Sequence, residues 1–357
     1  MVNGTSSSKE AVSSGVPQGT VLGPLLFALY INDIEEQLSC KMRLFADDSA
    51  IYRSIDTKED SHALQKDLFL LQNWAHKWQM NFNVKKCKSL CITKRTTRKI
   101  SNTYVMGTDS PPQEPIIVPI SIQKLATETL LQQNDPRNLS PLEEIESDKY
   151  LGIHLDTDLS FNTHIEQVCN KSSKLLNLCR RNLNMCHKST KELAYKAIVR
   201  PHLEYSSAAW SPHTAKNINK LEMVQRRAAR FVLNDYDYSP LSDLSSKIKH
   251  TLKWMPLQHR RALSDLFIFF KIRNALINIP FPAVTQASPN HSLRYLHVQA
   301  LHSEAFRYHF FIRTIRIWNL LPPKIAGSTN PESFKSQAQQ WITPMEWTRT
   351  NGTWTLA

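Results

Sequence analysis

The stretch "RLFADDSAIY", residues 43–52, sets two carboxylates side by side, Asp47 and Asp48, between short runs that read as extended chain. The flanking "KMRLF" (41–45) and "SAIYRSI" (49–55) predict two strands, which places both aspartates at the tip of a tight hairpin. Adjacent carboxylates repel, so ionising both costs free energy that solvent or a cation must offset. A surface turn meets that need with water, and aspartate is a common turn residue. A divalent magnesium ion meets it with charge: it prefers oxygen ligands and takes one or two carboxylates together with substrate phosphates. Two such ions can clamp an in-line phosphoryl displacement.

Outward from the hairpin, "SGVPQGTVLGPLLFALYINDIEEQL" (14–38) opens on the turn residues Gly15, Pro17 and Gly19. It then repeats Leu22, Leu25, Leu26, Leu29, Tyr30 and Ile34 at helical spacing, with Pro24 in the first turn. On the other side Thr57 and Asp60 form a capping-box pattern ahead of Leu64, Leu68, Leu71, Ala75 and Trp78, which predicts an amphipathic helix. "MNFNVKKCKSLCIT" (80–93) reads as a turn into a strand, with Lys85 and Lys86 just before the extended run.

The chain of 357 residues is long enough for two domains and carries a net charge of +13. Residues 160–275 hold 20 Lys+Arg against 8 Asp+Glu, so nearly all the excess lies there and points to a polyanionic partner. Between the two parts, residues 101–148 contain six prolines and 8 acidic against 2 basic residues, the composition of a flexible acidic insertion or linker. Beyond it "KYLGIHLD" predicts a short strand, and amphipathic helices are expected over 161–181, 189–200, 216–233 and 257–275. The second should start at Ser189 with Glu192 and stop at Pro201. In "KLEMVQRRAARFVL", Leu221, Val224, Ala228 and Phe231 or Val232 make the apolar face, while Arg226, Arg227 and Arg230 gather elsewhere. A charged helix face is by itself compatible with plain solvation; with Arg180, Arg181, Arg260 and Arg261 it forms a candidate set of phosphate contacts. "FRYHFFIRTIRIWNLLPPKI" is aromatic and basic and reads as a cap packed on the helical region. The six cysteines form no C-x-x-C pair, so reduced thiols are expected. With neither a signal pattern nor an apolar run of membrane-spanning length, an intracellular protein without a membrane partner is expected, nucleus or cytoplasm left open.

Taken in order, "GVPQGTVLGPLLF" (15–27), "LFADDSAIY" (44–52) and "WQMNFNVKKCKSL" (78–90) resemble three motifs of the reverse transcriptase palm, in the lineage of non-LTR (LINE-like) retrotransposons. The resemblance continues through "KYLGIHLD", "HLEYSSAAWSP", "LEMVQRRAARFV" and "IWNLLPPKI", and so covers roughly residues 1–342. It implies an α+β chain: a partial polymerase palm of β-hairpin and helices over 1–100, then, after the 101–148 insertion, a helical, basic, thumb-like region over 149–280. A cap region over 281–342 and a tail over 343–357 complete the expected organisation. The resemblance further implies RNA-directed DNA polymerase activity, with two magnesium ions on Asp47 and Asp48 and with Lys86 near the incoming triphosphate. Pro17, Gln18 and Gly19 would meet nucleotide and template. An RNA template, a DNA primer and deoxynucleoside triphosphates would be the partners. The family's further metal-binding aspartate lies upstream of the motif that here begins at Gly15, and only 14 residues precede that glycine. The fingers and that aspartate are therefore expected to be missing and to come from an upstream sequence; the alternative expectation is an inactive retrotransposon remnant that only binds nucleic acid.

Overall fold

The apolar spacing builds helices that gather in two separate units, Met1–Glu146 and Ser147–Ala357. The computed structural model describes residues 19–93, 103–107, 139–239, 243–282, 285–288, 291–297, 307–350 and 353–356. Pro17, Gln18 and the middle of the acidic insertion, 108–138, lie outside the described residues.

In the first unit, α1 (Gly23–Tyr30) carries proline in its first turn, where the missing N–H costs nothing. The hairpin β1 (Lys41–Phe45) and β2 (Asp48–Tyr52) follows, and then α2 (Lys58–Lys77). The Thr57 hydroxyl accepts the Asp60 N–H at 3.3 Å while the Asp60 carboxylate accepts the Thr57 N–H at 3.0 Å, so the capping box closes in both directions. The buried face of α2 puts Leu71, Trp74 and Ala75 against Ile31, Ile34 and Met42, with Phe27 and Ile51 half-buried beside them. The expected apolar stripe of α1 is therefore only partly core: contact is made by Phe27 and by Ile31 and Ile34 beyond the helix, while Leu22, Leu25, Leu26 and Leu29 are exposed. A single 3₁₀ turn, Val84–Lys86, leads into β3 (Lys88–Leu90) as expected. The ends of the 101–148 segment are ordered strands rather than linker. β4 (Val105–Gly107) pairs antiparallel with β5 (Leu139–Pro141), and β6 (Glu143–Ile145) pairs parallel with β3. Gln65 of α2 acts as a further strand for β4: its amide donates to the Val105 carbonyl and accepts the Val105 N–H, both at 2.9 Å.

The second unit begins with the hairpin β7 (Ser147–Tyr150) and β8 (Ile153–Asp156), turned by Leu151 and Gly152 with φ of 46° and 85°. Both turn residues have positive φ, which matches the twist of a two-residue hairpin. A Cβ on Gly152 would stand 3.2 Å from Cε1 of the exposed Tyr205 ring, a tight contact, and the positive φ is what selects glycine there. Helices α3 (Asn162–Leu183), α4 (Lys188–Ala194), α5 (Arg200–Glu204), α6 (Ser207–Trp210) and α7 (Ala215–Leu233) enclose a core of Tyr195, Leu203, Trp210, Leu221, Val224 and Phe231. After α8 (Leu244–Ser246), α9 (Leu257–Arg273) joins that core through Leu257 and a second one through Leu266, Phe269 and Phe270. The second core is completed by α10 (Phe310–Trp318), α11 (Pro323–Ala326) and α12 (Pro331–Ile342). The aromatic segment expected to be a cap thus shares a core with α9, through Phe311, Ile315 and Trp318.

Pro201 does not end its helix. Residues Tyr195–Val199 form a π turn in which the Arg200 N–H bonds to the Tyr195 carbonyl, and Pro201 then sits in the first turn of α5, where no N–H is needed. The start also shifts: His187 is the cap, with Nδ1 accepting the Ser189 N–H at 3.3 Å. The mixture of helices with small two-stranded sheets is α+β, as expected.

Candidate active site and nucleic-acid surface

The hairpin registers Phe45 against Asp48, leaving Ala46 and Asp47 as its turn, with Ala46 at φ 50°. Asp47 and Asp48 therefore stand together at the tip, both exposed, and among the described residues no cationic side chain lies within ion-pair distance of either. The tip is carried on a fixed base. Met42 of β1 is 2% exposed, and with Ile51 of β2 it keys one face of the hairpin onto α2. At the open end, Asp67 of α2, itself buried, accepts the Ser39 N–H at 3.0 Å, the Ser39 hydroxyl at 2.9 Å and the Cys40 N–H at 2.8 Å. Burial, together with the hydrogen bond to Asp67 and its charge, pushes the Cys40 thiol up to about 12, so this cysteine is held as an inert thiol.

Lys86 is exposed at the end of its 3₁₀ turn. That turn packs by Val84 and Cys87 on the cluster of Leu68, Met106 and Leu142, which also receives Ile51 of β2. One helix, α2, therefore anchors both the aspartate tip and the lysine turn, and the structure brings Asp47, Asp48 and Lys86 into one unit. Gly19 has φ 80° and open space where a Cβ would stand, so backbone conformation alone selects glycine there. As metal donors, the two carboxylates supply hard oxygens with room for water and phosphate ligands, which suits magnesium. Among the described residues no group of three His, Cys, Asp or Glu forms that could hold a metal by itself.

The arginines lie in the second unit and divide by environment. Arg180 and Arg181, in the last turn of α3, and Arg226 and Arg227, on the outer face of α7, are exposed. Arg230 is half-buried, its guanidinium 4.3 Å from the Tyr238 ring centre. Arg260 and Arg261 correct the expectation of a phosphate-binding set. The Arg260 guanidinium is engaged on both oxygens of Glu204, with Nη2 to Oε2 at 2.9 Å. Arg261 is 2% exposed and, among the described residues, none of its guanidinium nitrogens has a hydrogen-bond partner, so it cannot meet a nucleic acid from solution. The carboxylates of Glu222, Asp265 and Glu204 oppose the effect of its burial, which lowers its pKa. Asp265 is itself bonded to Arg313 at 2.9 Å, and Glu222 accepts the Gln258 N–H at 3.0 Å, capping α9 from another helix.

Residues 1–155 match the family model described as "Reverse transcriptase (RNA-dependent DNA polymerase)", a span that holds the hairpin and the lysine turn. Residues 1–155 belong to the reverse transcriptase family. The lineage is that of non-LTR retrotransposon polymerases, as the motifs suggested. The chain is 28% identical over 239 residues to the "Probable RNA-directed DNA polymerase from transposon X-element" of Drosophila melanogaster, covering 63% of this chain and 22% of that protein. It is 25% identical to the "Probable RNA-directed DNA polymerase from transposon BS" of the same species, covering 74% of this chain and 27% of that protein. It is 26% identical to the "RNA-directed DNA polymerase from mobile element jockey" of Drosophila funebris, covering 69% and 25% respectively. The chain thus spans about a quarter of the length of these curated relatives. No solved structure matches it.

Within the reverse transcriptase segment, sequence reasoning overlooked Asp67 and Gln65. Their signal was available: Ser61, Gln65 and Leu68 recur at helical spacing on the buried face of α2, and a polar residue at a core-facing position needs a partner.

Proposed function

We propose that this reverse transcriptase segment performs RNA-directed DNA synthesis together with an amino-terminal polymerase segment supplied from upstream, and that Asp47 and Asp48 are its metal-holding carboxylates. The observation that supports this most is the pair of exposed carboxylates, without a cationic partner among the described residues, at the tip of a hairpin held by one face and at its open end. In this reading two magnesium ions, when bound, would activate the primer hydroxyl and neutralise the leaving pyrophosphate. The protein's own contribution is placement. Met42, Ile51 and Asp67 hold the tip, so the carboxylates need not reorganise when substrate arrives. Lys86 offers an exposed ammonium to the triphosphate, and Pro17, Gln18 and Gly19 contact nucleotide and template. The first unit is the palm-like part. The second is thumb-like, with Arg180, Arg181, Arg226, Arg227 and Arg230 for the template–primer backbone; an RNA template, a DNA primer and deoxynucleoside triphosphates are the substrates.

A second reading, a chain that binds nucleic acid without chemistry, is favoured by one observation: no third acidic or imidazole group joins the two carboxylates among the described residues. Primer extension on an RNA template with magnesium separates the two. Polymerisation is supported by no extension with this chain alone and by extension once an amino-terminal segment is supplied. No extension in either arm, with binding of an RNA–DNA hybrid that falls steeply with salt, supports the binding-only reading.

A further inference from the structure

The helical unit carries a basic hollow that takes in two of the arginines assigned above to the template–primer backbone, Arg180 and Arg181, and extends beyond them. Its main part, about 820 Å³, is lined by Lys174, Asn177, Arg180, Arg181, Asn184 and Tyr236. A second hollow of about 420 Å³ shares Asn184 and continues past Lys188 to Lys191. No carboxylate is among the residues lining either part.

Part of this charge has a structural explanation, because arginines in the last turn of α3 complement the negative end of the helix dipole. Lys191 does not. It is 5% exposed, it lines the hollow, and its recorded neighbour is the Phe231 ring at 5.2 Å; among the described residues no carboxylate lies within ion-pair distance. The Lys191 stem is buried along the Phe231 ring while its ammonium, which is not a buried, unpartnered group, is open to an anion entering the hollow. Tyr236 adds a second kind of contact. Its ring is exposed, and the Arg180 guanidinium lies 5.4 Å from its centre, which leaves an aromatic and cationic surface at the hollow's rim. Asp235 beside it is committed to Lys247 at 2.6 Å, and Asp237 to the Ser239 N–H at 2.8 Å.

Phosphate-seeking cations, amide side chains and an exposed ring together fit a polyanion that also has flat apolar faces. A hollow of small-molecule size admits a strand a nucleotide or two at a time. We propose that the hollow running from Lys174 to Lys191 holds a single-stranded nucleic acid, with Arg181 and Lys191 on phosphates and Tyr236 stacking a base. The proposal rests on the reading of the helical unit as a nucleic-acid surface and is independent of polymerisation.

Fluorescence anisotropy on the full chain, without metal or nucleotide, tests it with three labelled probes: a short single-stranded RNA, its blunt duplex, and an abasic strand of equal length. The single strand should bind at least about fivefold more tightly than the abasic strand, and Tyr236→Leu should erase that difference. Arg181→Gln and Lys191→Met should each lower the slope of log affinity against log salt by about 0.7. Because Lys191 is buried, the exposed Arg181→Gln keeps the test valid if Lys191→Met melts early. Equal binding of normal and abasic strands, or Tyr236→Leu without effect, overturns the proposal. If in that case Arg226→Ala with Arg227→Ala still weakens duplex binding, the broader nucleic-acid reading survives without the hollow.

Discussion

Replacing Asp67 by asparagine tests whether the aspartate hairpin is held from its open end. The carboxylate accepts three hydrogen bonds, from the Ser39 N–H, the Ser39 hydroxyl and the Cys40 N–H, at 3.0, 2.9 and 2.8 Å. Bonds to a charged acceptor contribute about 1.5–3 kcal/mol each and neutral ones about 0.5–1.5, so losing the charge should weaken each by roughly 1 kcal/mol. The amide also turns a donor toward backbone donors, so a total loss of about 2–4 kcal/mol is expected, read as a lower urea midpoint. A second readout is specific to the place. Burial, and then Asp67, hold the Cys40 thiol near 12, so native wild-type protein at pH 8.5 should alkylate slowly at Cys40. In Asp67→Asn the desolvation remains while the carboxylate's hydrogen bond and charge are gone; the thiol pKa falls and alkylation of the Cys40 peptide, followed by mass spectrometry, should accelerate. The buried Cys179 in the other unit should keep its wild-type rate, which separates a local change from global unfolding. An unchanged urea midpoint together with an unchanged Cys40 rate refutes the role given to Asp67.

Three further outcomes follow from the second unit. His164 is buried, its Nδ1 accepts the His154 N–H at 3.2 Å, and burial pushes its pKa down to about 4, so the folded protein keeps the ring neutral while the unfolded chain protonates it below 6.5. Stability should therefore fall as pH drops from 6.5 to 4, by up to about 3 kcal/mol, and thermal melts of His164→Gln should show a smaller fall. Phe270, fully buried and stacked on Phe334 with ring centres 4.3 Å apart, should cost about 3–5 kcal/mol as Phe270→Ala in calorimetry. Arg261→Met replaces a buried guanidinium that has no hydrogen-bond partner among the described residues, while Asp265 and Glu204 keep Arg313 and Arg260, so urea melts should show stability unchanged or raised by about 1–4 kcal/mol, and the salt dependence of nucleic-acid binding should stay the same.

Local rules made much of the fold legible. The spacing of Leu68, Leu71 and Ala75, or of Leu221, Val224 and Ala228, is set by helix geometry and by burial of one face, so the sequence alone placed these helices within a few residues. The hairpin and the Thr57 capping box were equally local, depending on contacts within a few residues. What stayed hidden depends on residues far apart in the chain. A π turn at Tyr195–Val199 lets the helical path pass Pro201, and nothing in the proline itself announces that. The strand Val105–Gly107 exists because Gln65, 40 residues earlier, and Leu139–Pro141 supply its partners. Arg260 and Arg261 look alike in sequence, but one meets Glu204 and the other lies inside the unit, a difference set by which face of α9 turns inward.

For the hairpin itself, the most direct measurement is RNA-templated primer extension with magnesium by this chain joined to an amino-terminal polymerase segment, comparing Asp47→Asn and Asp48→Asn with the surface control Asp56→Asn. If the carboxylate pair holds the catalytic metal, either change at the tip should abolish extension while hybrid binding is kept, and Asp56→Asn should extend at the parent rate. Extension that survives Asp47→Asn and Asp48→Asn contradicts that role.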